Sequence, residues 1–429
     1  MDTFVYCNRR NRLLESLKEG IAFIPSALEV PRSRDTAYPF RQDSYFYYLT
    51  GFNEPEAVLV LRAGKDPKSI LFCRPKDPER ETWEGKRLGV DAAKNMLGVD
   101  EAYAISELDE KMPELLSNQP KLAFALDDAR WMQKMQTWVN IVHAKARQGS
   151  NPPEIWHDIR HWLDAMRQIK DEHELKLLEE ACTISAKAQI RAMETTRPGQ
   201  REYEVEAELL YAYHRHGACP SYLPICAGGS NALILHYIAN RDLLREGSLI
   251  LIDAGAEYQN YCGDITRTFP VGKRFSTPQK ELYSLVLQAQ QAAIAEVRAG
   301  KPFDAPHLAA VRILTAGLID LGVLTGDLDE AIAKEAYKRF YIHRTSHWLG
   351  MDVHDCGAYK DRDGKSINLQ PSMVLTIEPG LYMPDSDDVP ACYRGIGIRI
   401  EDDVVVTDGE PWNLTAVVPK AIDDVEALR

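Results

Sequence analysis

The chain has 429 residues, 45% of them hydrophobic and 27% charged, the balance of a soluble globular protein too long for one ordinary core, so two domains are expected. A net charge of -13 runs against the clustered Lys and Arg that a nucleic-acid backbone requires, and no stretch stays apolar over the width of a bilayer, so neither nucleic acid nor membrane is an expected partner. Eight cysteines without a CxxC pair, and an N-terminus without an apolar signal core, point to free thiols and the cytoplasm.

Residues 1–170 read as an α/β domain. An opening helix holds Leu13 to Leu17. Ile21 to Ile24, Ala57 to Leu61, Ser69 to Phe72 and Leu122 to Leu126 look like buried strands of a mixed or parallel sheet. Tyr45 to Tyr48 reads as core, and Arg74 to Arg87 as a charged loop carrying Trp83. Asn151-Pro152-Pro153 breaks the chain, and Ile155 to Ala188 has helical periodicity that carries it into a second domain, residues 171–429. There, helices are expected over Tyr203 to His216, from Ser276 to Gly300, and over His307 to Leu321. Strands are expected at Val374 to Glu378, Gly395 to Glu401 and Val404 to Val406; helices and strands in separate blocks make this domain α+β with an antiparallel sheet.

Between these helices lies LILIDAGAEYQNYCGDITRTFP, residues 249–270. Read as a hairpin turning between Tyr258 and Gln259, it sets Asp253 opposite Asp264, a like-charged pair that destabilises a sheet unless a cation sits between. Three further segments carry ligand-type side chains: His343, His347 and His354 within twelve positions, Glu378 at a strand end before Pro379-Gly380, and Arg399 with Glu401 on one face of an alternating strand. His343 and His347 at i, i+4 also fit a helix-face pair. Asp253, Asp264, Glu378 and Glu401 together bring four negative charges, which two divalent ions balance and one does not. Four carboxylates and an imidazole suit manganese, with cobalt or zinc as alternatives, and a pair of such ions implies hydrolysis.

DAGAEYQNYCGDITRTFPVG, HxxxHWLGMDVHD, TIEPGLY and GIGIRIEDDVVVT resemble the ordered signature of the pita-bread metallopeptidases, and YYLTGFNEPEAVLVL with FCRPKDPERETWEGKRLG resembles the N-terminal domain of the aminopeptidase P branch. The resemblance implies a creatinase-like N-terminal domain joined to a pita-bread catalytic domain, and metal-dependent removal of the N-terminal residue at an Xaa-Pro bond through a metal-bridged hydroxide. It further implies a dinuclear site on Asp253, Asp264, His347, Glu378 and Glu401, with Asp264 and Glu401 bridging. In the same pattern Glu378 shuttles a proton, His236 and His354 act on the substrate, and His343 and Arg399 line the pocket beyond the scissile bond. Tyr382 and Trp83 are expected walls for the proline ring. The expected partners are peptides with proline second, and the expected assembly is a homo-oligomer, dimer or tetramer. Arg344-Thr345 and Ile238-Ala239 depart from the family pattern without removing a ligand. The rival expectations are a prolidase, restricted to Xaa-Pro dipeptides, and a non-catalytic binding protein of the same fold.

Overall fold

The structure, a computed structural model, describes residues 3–429. It divides into two compact units, Met1–Met166 and Arg167–Arg429.

In the first unit, helix α1 (Thr3–Leu17) leads into β1 (Gly20–Pro25). With β2 (Val58–Ala63), β3 (Lys68–Cys73), β4 (Glu101–Ala104), β5 (Lys121–Phe124) and β6 (Ile155–Asp158), β1 forms a mixed sheet in the order β4-β3-β2-β1-β5-β6. β1 runs antiparallel to β2 and parallel to β5. Ile21 to Ile24 are buried on both faces, as a covered central strand requires, and Phe23 packs on Trp131 and Trp138. The tyrosine run lies in helix α2 (Ser44–Thr50), which Asp43 caps and which buries Phe46, Tyr47 and Tyr48.

Two local expectations fail here for identifiable reasons. Ile155–Asp158 is an edge strand beside β5, not the start of a long helix: Pro152-Pro153 holds the chain extended into it, and Ile155 and Trp156 suit a pleated edge. The expected loop around Trp83 contains helix α3 (Pro78–Glu84), because Asp77 accepts the Arg80 N–H at 3.1 Å and Pro78 occupies the first turn.

The second unit is α+β. Helix α4 (Glu172–Thr195) starts at a reciprocal cap between Asp171 and Glu174, and α5 (Glu202–Arg215) packs beside it. Strands β7 (Ile225–Gly228), β8 (Leu249–Asp253) and β11 (Thr266–Pro270) form an antiparallel sheet; β9 (Ala256–Tyr258) and β10 (Tyr261–Cys262) lie within its hairpin. Helices α6 (Thr277–Ala295) and α7 (Ala305–Asp320) pack on each other, burying Leu282, Val286, Ala289, Val311 and Leu314. Strands β12 (Val374–Ile377) and β13 (Gly380–Tyr382) pair antiparallel with β15 (Asp402–Val405) and β14 (Gly397–Arg399) respectively.

The hairpin register differs from the expected one. Gln259 and Asn260, both at positive φ (48° and 67°), form the turn, so Tyr258 faces Tyr261 and Asp253 faces Thr266. Two left-handed residues match the twist of the flanking strands, a condition met one position later than the expected centre. Asp253 and Asp264 are therefore diagonal neighbours on one face. The pinch that joins them is tight: a Cβ on Gly255 would lie 1.7 Å from the Gly263 carbonyl oxygen.

Candidate metal centre

A cavity of about 680 Å³ opens in the second unit, within the size range of ligand pockets, and all its lining residues belong to that unit. β8 brings Asp253 to it and the returning strand brings Asp264, whose N–H donates to Asp403 Oδ2 at 2.9 Å. Residues 345–349 run as an extended segment beside β12: Glu378 donates its N–H to the Thr345 carbonyl at 2.8 Å, and Thr376 to that of His347 at 3.0 Å. That pairing, and not a helix, sets His347 near Glu378. Glu401 enters from the end of β14, its N–H on the Thr266 carbonyl at 3.1 Å.

One oxygen or nitrogen from each of Asp264, His347 and Glu401 lies within 4.8 Å of the others. His347 Nε2 is 3.4 Å from Asp264 Oδ2 and 3.6 Å from Glu378 Oε1. The Arg399 guanidinium spans the floor: Nη2 donates to Asp253 Oδ2 at 2.5 Å, Nη1 to the Tyr382 hydroxyl at 2.8 Å and Nε to Thr266 Oγ1 at 3.1 Å. Its single positive charge faces the carboxylates of Asp253, Asp264, Glu378 and Glu401.

This imbalance perturbs the groups that make it. Burial raises Glu378 to about 7 against the opposing charges of His347 and Arg399, and burial with the neighbouring carboxylates pushes Glu401 well above its ordinary value. Asp253 is raised by burial too, with Arg399 pulling the other way. Burial would lower His347, but its hydrogen bond to Asp264 and the charge of Glu378 outweigh that and hold it at about 9. The Tyr222 hydroxyl touches both Asp253 and Asp264, although it has one proton to give. Oxygen-rich donors with uncompensated charge and an over-shared proton are the chemistry of a cation site, and they fit divalent metal ions.

His236 and His354 also line the cavity; the His354 ring meets that of His347 edge-on at 4.4 Å. The loop carrying His354 is pinned by Asp355, buried between Arg167 (2.6 Å) and Lys170 (3.0 Å). His343 Nδ1 donates to the Arg344 carbonyl at 2.8 Å, leaving Nε2 to accept from Tyr382, whose own oxygen accepts from Arg399. Burial, then the charge of Arg399, lowers His343 to about 3, so its ring is neutral in this chain of bonds. Tyr382 thus stands behind the wall, buttressing His343 and Arg399, and is not among the lining residues. Trp83 is outside the cavity as well, on α3 of the first unit and 86% exposed.

Tyr222 and Thr266 escaped the sequence reading. Thr266 donates to Glu401 Oε2 at 2.6 Å and accepts from Arg399. Its position two residues after Asp264 was the available signal, since such residues share a strand face. Tyr222 lies in a loop between Pro220 and Pro224 and carried no pattern.

The chain belongs to metallopeptidase family M24, which its residues 176–408 match; residues 6–144 match the aminopeptidase P N-terminal domain. It is 46% identical to the Xaa-Pro aminopeptidases of Haemophilus influenzae and Escherichia coli, in each case over 98% of this chain and 96% of the relative. Among solved structures, Pseudomonas aeruginosa aminopeptidase PepP superposes with a TM-score of 0.98 at 46% identity, covering 100% of this chain and 98% of that one. An E. coli aminopeptidase P variant in complex with substrate superposes at 0.97 and 44%, with coverage of 100% and 98%. The family and the fold class expected from the sequence are those observed.

Proposed function

We propose that this metallopeptidase removes the N-terminal residue from peptides with proline second. The observation that carries the reading is the convergence of four carboxylates and His347 on one cavity, with the buried Arg399 too small a counter-charge for them, in a chain nearly half identical to Xaa-Pro aminopeptidases along its whole length. Asp253, Asp264, His347, Glu378 and Glu401 would hold divalent metal, and the oxygen-rich set favours manganese. Metal bound there supplies a water activated near neutral pH and polarises the scissile carbonyl.

The chain's own residues do the rest. Glu378, facing His343 and His347 in the cavity, is placed to take and return a proton at a carboxylate oxygen. His236 and His354 aim N–H donors at the carbonyl oxygen as charge develops on it. His343 and Arg399 border the space for the proline, whose nitrogen has no N–H to recognise, so ring shape must serve, with Tyr382 fixing that wall from behind. A homo-oligomer, dimer or tetramer, belongs to the same reading: an exposed tryptophan is the kind of residue interfaces bury. So does the cytoplasm, because all eight cysteines are free. Among the described residues no helix is long and apolar enough to cross a membrane.

A prolidase must hold the carboxylate of a C-terminal proline, and the guanidinium of Arg399 is already engaged by Asp253, Tyr382 and Thr266. Metal content measured beside the hydrolysis of an Ala-Pro-Ala tripeptide and an Ala-Pro dipeptide tests the assignment. Loss of free alanine from the tripeptide by metal-loaded enzyme is expected; cleavage of the dipeptide alone would replace it with prolidase.

A further inference from the structure

Of the four residues that depart from the family pattern, two line the cavity, Ile238 and Arg344. The cavity lining also includes the apolar Leu223, Leu235 and Val353, and Arg344 and the buried Arg399 are the guanidiniums among its described lining residues. Their situations differ. Arg399 is saturated by site residues, whereas Arg344 is exposed and, among the described residues, has no carboxylate within ion-pair distance. An unpaired arginine is ordinarily just a solvated side chain. Here its backbone is fixed on both sides: the Arg344 carbonyl accepts from His343, and the neighbouring Thr345, fully buried, bonds His307 Nδ1 at 2.8 Å and the Tyr341 hydroxyl at 2.5 Å. Thr345, the inward half of the departing pair, therefore anchors the segment from which Arg344, the outward half, projects at the mouth.

His343 lies inside Arg344 along this wall, 3.6 Å from Glu378. A peptide whose proline sits against His343 then carries its next residue outward to Arg344. Resting on the aminopeptidase reading above, we infer that Arg344 is a specificity-determining residue that receives a carboxylate on the residue following proline. A guanidinium fork matches that group bidentately. Two sources present the same chemistry: the C-terminal carboxylate of a tripeptide and an acidic side chain at the third position.

The test measures kcat/KM of metal-loaded enzyme on two matched pairs, Ala-Pro-Ala against its C-terminal amide, and Ala-Pro-Glu-amide against Ala-Pro-Gln-amide. The parent enzyme should favour the anionic member of at least one pair by about tenfold, mainly through KM, the scale of one charge-assisted hydrogen bond. Whichever pair shows the preference identifies the source. Arg344→Gln should bring that ratio to within about twofold of unity, and Arg344→Glu should reverse it; because each ratio is internal to one preparation, partial misfolding does not move it. An unchanged ratio in Arg344→Gln, or no preference in the parent, overturns the inference while leaving the aminopeptidase reading intact. A parent enzyme that cleaves none of the four peptides takes down both.

Discussion

Glu401 and Asp402 are adjacent, both buried, and opposite in behaviour. Asp402 is surrounded: Arg267 and Gln290 each donate at 2.7 Å, Thr415 at 2.8 Å, Asn413 at 2.9 Å, and Lys420 closes the shell. Burial alone would raise its pKa, but Arg267 and Lys420 overturn that and hold it well below the carboxylate range. Glu401 has the Thr266 hydroxyl and other carboxylates for company, and is pushed up. A buried acid whose donors are all protein groups is part of the frame; one facing its own kind is reserved for something the protein must acquire.

Substitutions at the two clusters should therefore separate chemistry from stability. Glu378→Ala, the largest effect expected, should cost at least about 10³-fold in kcat with the Tm near that of the parent, the scale of losing the acid–base group proposed above, which would also hold metal. Turnover within tenfold of the parent would remove Glu378 from its role. Glu401→Gln should likewise lose activity together with bound metal, read by elemental analysis, without a fall in Tm. Asp402→Asn should do the opposite, leaving Arg267 and Lys420 buried without their counter-charge and costing about 3–5 kcal/mol in urea unfolding. A destabilised Glu401→Gln beside a stable Asp402→Asn would invert the comparison. His354→Ala should lower kcat about 10²-fold while metal content holds, as expected of a donor that meets the substrate; equal loss of both would make it a ligand.

Imidazoles extend the contrast at smaller scale. His347, among acids, is held at about 9, whereas His307, buried beside Thr345 and near Arg344, is lowered by burial first to about 4. Between pH 6.5 and 4 the unfolded chain binds a proton at His307 that the folded chain refuses, so the sign is a loss of stability as pH falls through that window. Moving from pH 7 to 5 should cost about 1–2 kcal/mol from this residue, and His307→Asn should flatten the dependence by that amount. An unchanged slope in the variant would show that His307 is not its source.

Much of this frame could be read from residue order because burial imposes periodicity: the apolar strands of both units and the helices after Ser276 declare themselves that way. What escaped turned on single residues. The hairpin register depended on Gln259 and Asn260 accepting left-handed backbone, and the helix under Trp83 on the Asp77 cap. The extended segment holding His347 owes its shape to pairing with distant β12, which local spacing cannot report. Within the cavity, acids and histidines announced themselves by type. Tyr222, Thr266 and Asp403 did not, since hydroxyls and a lone carboxylate gain meaning only from what lies across from them.

The contact between Gly255 and the Gly263 carbonyl carries one last implication. In a saturation screen for peptide hydrolysis, position 255 would rank with the acids for intolerance, although its glycine has no side chain to offer a substrate. A map of mutational sensitivity alone would thus draw the reactive centre too large, and only the missing methyl group explains why.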